Sequence, residues 1–160
     1  MLGKMKSVFL RLRNDRSGAA MVELALIAPT LALMTVGTID YALLMTSKLT
    51  VESAARDGAA YAVAHGYNST TIASAVTSRG RSSSYLSSVA ASPAPAAWYG
   101  CANATTGVVS AADATTTCTI GGTAGQYVTV SASGTYTFLV PWPTLPASYP
   151  INASVKVRIS

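Results

Sequence analysis

One carboxylate, Glu23, stands near the start of an apolar stretch that runs from Arg16 to Leu44. The 16 residues from Leu24 to Ile39 carry no charge, and the next ionisable side chain is Asp40. An ionisable group inside a membrane span is costly and usually has a partner or a function there. The alternative is that Glu23 simply reaches lipid headgroups or water. The sequence alone leaves both interpretations open.

Two cysteines, Cys101 and Cys118, lie in a stretch rich in Ser, Thr, Ala and Gly. They lack the C-x-x-C spacing of common zinc sites, and the single histidine of the chain leaves a metal short of ligands. We therefore expect a disulfide that closes this loop in an oxidising compartment. Two buried free thiols are the alternative.

The remaining candidates for chemistry do not indicate an enzyme. The only histidine, His65, lies at a predicted helix end, where a dipole contact or solvation explains it. Without it no base–nucleophile set can be assembled. The run "DATTT" at Asp113 loosely resembles a magnesium-binding loop but lacks acidic partners. Trp98, Tyr99 and Trp142 are expected to be core or membrane-edge residues. We expect no metal, cofactor or small-molecule substrate.

The apolar stretch is long enough for one membrane span. Ala19 to Leu44 is 26 residues, and a span needs about 20 mostly apolar residues. Pro29 lies inside it and is expected to bend the helix, because proline removes one backbone hydrogen bond. A cleaved secretory signal fits less well, since its apolar region would be long and interrupted by Glu23.

Positive charge is concentrated ahead of this span. Residues 1–18 hold five bases and one acid, a net charge of +4, whereas the other 142 residues hold six bases and five acids and net only +1. A basic arm can bind nucleic acid, but one that adjoins an apolar stretch is typical of the cytoplasmic side of a membrane protein. We expect membrane lipid, and no nucleic acid, among the partners. The charged residues of the arm are Lys4, Lys6, Arg11, Arg13, Asp15 and Arg16.

The helical pattern continues beyond the span as far as Gly66, the predicted C-cap. Lys48, Glu52 and Arg56 repeat at i, i+4 as alternating charges on a wet face. Small residues repeat at the same spacing on another face, which permits close packing. One helix from Ala19 to His65 would measure roughly 70 Å, so half of it would stand outside the bilayer. The small residues are Ala54, Gly58 and Ala62.

A second helix and two strands are predicted in the remainder. "NSTTIASAVTSRG" favours a short helix capped by Asn68 or Ser69. From Arg81 to about Gly125 the composition indicates loops. "QYVTVSASGTYTFLVP" and "INASVKVRIS" alternate, so we expect two half-buried antiparallel strands, joined through the proline-rich "PWPTLPASYP", whose apolar face packs on the outer half of the long helix. Gly134 is expected to mark a bulge or bend. In the last strand the apolar positions are Ile151, Ala153, Val155, Val157 and Ile159.

The stretch from Arg16 to Ala62 resembles the TadE-like family, small pilin-like proteins of tight-adherence (Flp) pilus systems. The resemblance covers roughly 45 of the 160 residues. Its features are the basic arm, a small-residue start, "VEL" around Glu23, the proline at Pro29, the acidic Asp40 and the run "AARDGAAYA".

The resemblance implies a processing site. Type IV-like pilins are cut by a prepilin peptidase after a glycine, and a glutamate stands fifth in the mature chain. Here Gly18 precedes Ala19, and Glu23 is the fifth residue after that junction. The implied role of Glu23 is to pair with the N-terminal ammonium of a neighbouring subunit, in a low dielectric that strengthens the attraction. The implied partners are the prepilin peptidase, other pilins and pilus-assembly proteins.

These observations predict an α+β chain, in which a long N-terminal transmembrane helix continues outside the membrane and packs on a small antiparallel sheet. The expected location is the bacterial inner membrane, single-pass, with the N-terminus cytoplasmic. The expected function is that of a minor pilin or pseudopilin in tight-adherence pilus assembly. The alternative is a single-span anchor that keeps residues 1–18 and presents a small binding domain. The expected segments are residues 1–18 (basic cytoplasmic leader), 19–44 (transmembrane), 45–66 (helix extension outside the membrane) and 67–160 (small extracytoplasmic α+β domain with Ser/Thr/Gly-rich loops).

Overall fold

The computed structural model describes residues 17–119, 121–143 and 145–160. Most of the predicted leader, residues 1–16, lies outside the described residues. The structure divides into an N-terminal unit that ends at Tyr41 and a C-terminal unit, Ala42–Ser160. The elements in chain order are helix α1 (Ser17–His65), helix α2 (Ser69–Arg79) and strands β1 (Ala96–Ala102), β2 (Val109–Ala111), β3 (Gly125–Thr137) and β4 (Ser148–Arg158).

The two helices are bounded by local signals that the sequence carries. Helix α1 ends before Gly66, which has φ +80° and donates its N–H to the Ala62 carbonyl at 2.9 Å. Glycine is favoured there because a left-handed C-cap costs it no steric clash. Asn68 caps α2, since its side-chain oxygen accepts from the backbone N–H groups of Thr70 and Thr71. The predicted caps at Gly66 and Asn68 are confirmed.

The four strands form one antiparallel sheet in the order β2-β1-β3-β4. Strands β3 and β4 pair from Tyr127↔Arg158 to Thr137↔Ser148, which confirms the predicted antiparallel pair, although β4 begins at Ser148, within the predicted proline-rich connection. The prediction of loops from Arg81 to Gly125 is wrong in part, because β1 and β2 lie within that range. Strand β1, "AAWYGCA", has too little alternation to be recognised alone, and its pairing with β3 is a non-local contact.

Gly134 does not mark a bulge. The β3–β4 register runs without interruption through the pair Gly134↔Ile151. A Cβ built on Gly134 would lie 3.4 Å from both Leu86 Cδ1 and Val51 Cγ2. The glycine therefore allows two core side chains to approach the strand backbone closely. Glycine in a strand commonly serves such a close approach when it does not mark a bulge.

The core of the C-terminal unit lies between one face of the sheet and the part of α1 that follows Tyr41. Val128 and Val130 are fully buried, and Ile151 is 3% exposed. The other apolar positions of the last strand pack against this cluster and are partly buried. This arrangement confirms the predicted apolar face of the strand pair and the α+β fold class. The helix α1 contributes Val51, Ala54, Ala55, Ala59 and Ala62 to the cluster.

Candidate functional site: an apolar helix with one carboxylate

The N-terminal unit presents apolar side chains around its helix without a protein core to cover them. Met21 is 75% exposed and Leu26 is 72% exposed. Among the described residues, one helical segment, Ala20–His65, is long and apolar enough to cross a membrane. A helix that is apolar all round and exposed needs lipid or neighbouring helices around it. The other large exposed apolar side chains of this unit are Val22, Leu24, Ile27, Leu31, Leu33, Met34, Ile39 and Tyr41.

The threonine hydroxyls in this helix are satisfied within the helix itself. Thr35 Oγ1 donates to the Leu31 carbonyl and Thr38 Oγ1 donates to the Met34 carbonyl, each at 2.8 Å. Such bonds to the preceding turn leave these hydroxyls satisfied without water. They suit a helix in a hydrocarbon environment.

Glu23 lies on an open part of the helix. Its side chain is exposed, and it stands four residues after Ala19, one turn and roughly 6 Å along the axis. Helix α1 begins at Ser17, so the Gly18–Ala19 junction lies in its first turn. A Cβ built on Gly18 would meet no atom within 4 Å. The exposed position leaves Glu23 available to a partner, and the processing and pairing roles of Gly18, Ala19 and Glu23 stay predictions.

Asp40 differs from Glu23 in its surroundings. Asp40 is only 2% exposed, whereas Glu23 is exposed. The two carboxylates of the apolar stretch are therefore not equivalent. Glu23 is open to a partner, and Asp40 is part of the folded structure.

The cysteine pair lies in the C-terminal unit, away from the carboxylate. Cys101 and Cys118 form a disulfide with their Cα atoms 5.4 Å apart. It ties β1 to the loop that follows β2, where Cys118 N–H donates to the Gly122 carbonyl. The disulfide therefore has a structural role, because it links β1 covalently to the loop after β2.

No metal-binding cluster of three or more His, Cys, Asp or Glu side chains occurs in the part of the chain that the structure describes. His65 stacks on Tyr61 with ring centroids 4.3 Å apart. Asp113 is used in a turn, where its carbonyl accepts from Thr116 N–H and its own N–H donates to Thr116 Oγ1. His65 therefore contacts its own helix, and Asp113 takes part in a turn.

The family model described as "TadE-like protein" matches residues 18–60. The match begins at Gly18, covers Glu23, Pro29 and Asp40, and ends inside α1. No curated protein and no solved structure matches the chain. The TadE-like family is in general non-enzymatic. A single apolar helix together with this match fits a membrane-anchored protein. The resemblance found in the sequence is confirmed: residues 18–60 of this chain match the TadE-like family.

Proposed function

We propose that this chain is a membrane-anchored minor pilin, or pseudopilin, that acts in the assembly of a tight-adherence, type IV-like pilus. The observation that carries the proposal is the position of the TadE-like match, which begins at Gly18 and follows the exposed apolar helix. The family associates the segment with tight-adherence pilus proteins and the membrane. A helix of this kind can be held by lipid before assembly and by other pilin helices afterwards.

In this proposal the chain is inserted in the bacterial inner membrane with residues 1–18 in the cytoplasm. The net charge of +4 on those residues supports this orientation, because basic residues are retained on the cytoplasmic side. A prepilin peptidase then cuts between Gly18 and Ala19. The C-terminal unit is displayed outside the cytoplasm, where its disulfide can form.

Glu23 serves assembly rather than insertion. Cleavage creates an ammonium group at Ala19, and a neighbouring subunit's ammonium can pair with the exposed Glu23 carboxylate. In a low dielectric this attraction is much stronger than in water. The pair also offsets the cost of keeping each charge in the membrane.

The alternative is a single-span anchor that is not processed and does not join a fibre. It is supported by the C-terminal unit, which has its own core and disulfide and could act as a displayed binding domain. Under this alternative Glu23 has no intersubunit partner. The two proposals therefore differ in what the loss of Glu23 does.

The test is Glu23→Ala, with Glu52→Ala as the matched control. Glu52 lies on the same helix but outside the apolar stretch, where its Oε1 pairs with Arg56 at 3.0 Å. A charge at the centre of a span costs about 2.5–3.5 kcal/mol on insertion scales. Glu23→Ala should thus insert at least as well as the parent chain, yet lose pilus partners in pulldowns and lower the count of surface pili. Glu52→Ala should leave both unchanged. Unchanged pilus assembly in Glu23→Ala, or loss of its insertion, would refute the proposed role.

A further inference from the structure

The connection between β3 and β4 is apolar and exposed, although the rest of the sheet is well packed. We define the hairpin tip as residues 138–149, of which Thr144 is not described. Leu139 is 54% exposed, and Leu145 and Tyr149 are each 51% exposed. The run from Ala114 to Val155 contains no charged residue, so nothing in the tip opposes burial in an apolar medium. The tip also contains three prolines and the half-buried Trp142.

The direction of β4 along α1 places the tip at one end of the C-terminal unit. Near the start of β4, Tyr149 and Pro150 line a groove with Leu44 and Met45 of the helix. Farther on, Ser154 lines a second groove with helix residues one to three turns later, Lys48, Glu52 and Arg56. Strand β4 therefore runs in the same direction as α1. The tip, which ends within the first two residues of β4, lies toward the N-terminal end of the unit's helix.

That end of the unit is where the proposed membrane span finishes. The span was placed at residues 19–44, and the base of the tip lies level with Leu44 and Met45. Beyond the last strand pair, Thr137↔Ser148, ten residues form the connection and can extend at most about 16 Å farther. This reach is sufficient to enter the outer leaflet. Phe138 connects the tip to the core: its ring meets the ring of the buried Tyr136 edge-on, with the two ring centroids 5.2 Å apart.

Basic side chains flank the helix at the same level. Lys48 lines both of the grooves beside β4. Arg81 lines a third groove, together with Thr46 and Ser47 of the helix. Neither Lys48 nor Arg81 has a carboxylate within 4.0 Å among the described residues, whereas Glu52 and Asp57 are each paired with an arginine. An apolar tip with a Trp and a Tyr, next to unpaired cations, has the composition of a membrane interface.

We propose that the hairpin tip inserts into the outer leaflet of the membrane that α1 spans, with Lys48 and Arg81 at the level of the lipid phosphates. The partner that the hairpin tip contacts is the lipid bilayer. The proposal rests on the membrane-anchored orientation proposed above. It adds a second contact between the chain and the membrane.

The two tryptophans of the chain provide a matched pair of probes. Trp142 lies in the tip, and Trp98 lies on the sheet opposite Tyr127, which itself pairs with Arg158. Arg158 is ten residues along β4 from Ser148, so Trp98 is roughly 30 Å farther from the tip. Trp98 stacks on Tyr127 at 5.1 Å and donates to Thr129 Oγ1 at 2.9 Å, which fixes its place on the sheet.

The experiment uses the full chain in vesicles of phosphatidylglycerol and phosphatidylcholine, with the phosphatidylcholine brominated on its acyl chains. Trp98→Phe leaves Trp142 as the only tryptophan, and Trp142→Phe leaves Trp98. A third chain carries both of these substitutions and Leu31→Trp, which reports on the span. We expect bromolipid to quench Trp142 and Leu31→Trp strongly and Trp98 hardly at all. The depth of Trp142 should be about 5–10 Å into the interface, as for other interfacial apolar faces.

The outcomes separate this proposal from the one on which it rests. Quenching of Leu31→Trp without quenching of Trp142 would overturn the tip insertion and leave the membrane span standing. No quenching of Leu31→Trp would overturn the span and the tip insertion together. Equal quenching of Trp98 and Trp142 would contradict insertion by the tip alone. The parent chain, which carries both tryptophans, checks that the Trp98→Phe substitution has not disturbed folding: its emission should be quenched in part, and the quenched part should be blue-shifted.

Discussion

Gly58 of α1 lies directly against Val76 of α2. A Cβ built on the glycine would come within 2.5 Å of Val76 Cγ2 and 2.9 Å of Val130 Cγ1. Both valines are fully buried. The missing side chain therefore lets two helices and β3 meet at one point, as the spacing of Ala54, Gly58 and Ala62 indicated in the sequence.

Gly58→Val should destabilise the fold, because the new side chain has no space in the packed core. Overpacking costs typically about 1–3 kcal/mol. The control is Ala60→Val, two residues away on the same helix, where the side chain is exposed. The measurement is thermal unfolding of both full-length chains in detergent micelles. An equal melting temperature for the two variants would show that the close contact at Gly58 does not limit stability.

Val155→Asp should reduce stability more than Lys156→Asp. Val155 pairs with Val130 across the strands and packs on the core, so an aspartate there places a charge in an apolar setting at a cost of about 2 kcal/mol. Lys156 is exposed and lies over the Trp98 ring at 5.6 Å, an interaction worth about 0.5–1 kcal/mol. Resistance of the folded chains to a protease measures the difference. Equal resistance of the two variants would be incompatible with the β3–β4 register.

Loss of the disulfide should lower stability by about 3 kcal/mol on the loop-entropy model, because the bridge closes a loop over a sequence separation of 17 residues. Cys101→Ser combined with Cys118→Ser removes the bridge and leaves no unpaired thiol. Unfolding by denaturant is measured with and without reductant. The reductant should lower the midpoint denaturant concentration of the parent chain but not that of the double variant. Rapid alkylation of both cysteines in protein taken from the envelope without reductant would contradict the expected oxidised state.

Alkaline phosphatase fused after Ser160 should be active, since the C-terminal unit is expected outside the cytoplasm. β-Galactosidase at the same position is the control and should be inactive, because it folds only in the cytoplasm. Reversal of charge in the arm, with Lys4 and Lys6 replaced by Glu, should weaken this bias. An inactive phosphatase fusion together with an active β-galactosidase fusion would show that the orientation is the reverse of the one proposed.

The elements predicted correctly from the sequence are those fixed by local signals. Helix α2 has a cap at Asn68, α1 has a glycine after its last turn, and β4 alternates from Ile151 onward. Strands β1 and β2 were not predicted, because β1 depends on pairing with the distant β3, and the three-residue β2 pairs only with β1. Trp98 illustrates this: it covers Gly100, where a Cβ would lie 2.6 Å from Trp98 Cζ3, and it stacks on Tyr127 of β3.

The candidate site was predictable to a similar extent. The spacing from Gly18 to Glu23 can be seen in the sequence, and the structure adds that Glu23 is exposed, while its assembly role stays a prediction. The burial of Asp40 was not predicted, because charged side chains are rarely fully buried. The membrane-facing hairpin tip could have been suspected from the charge-free run between Ala114 and Val155, but its position relative to the helix required the fold.

The central claim, that this is a processed pilin, is tested most directly by mass spectrometry of the N-terminus of the protein from membranes of its native host. The claim predicts a chain that begins at Ala19, and it predicts that Gly18→Arg blocks the cut and leaves the longer precursor in the membrane. A parent chain that retains residues 1–18 while its host makes pili would contradict the claim and support the unprocessed anchor.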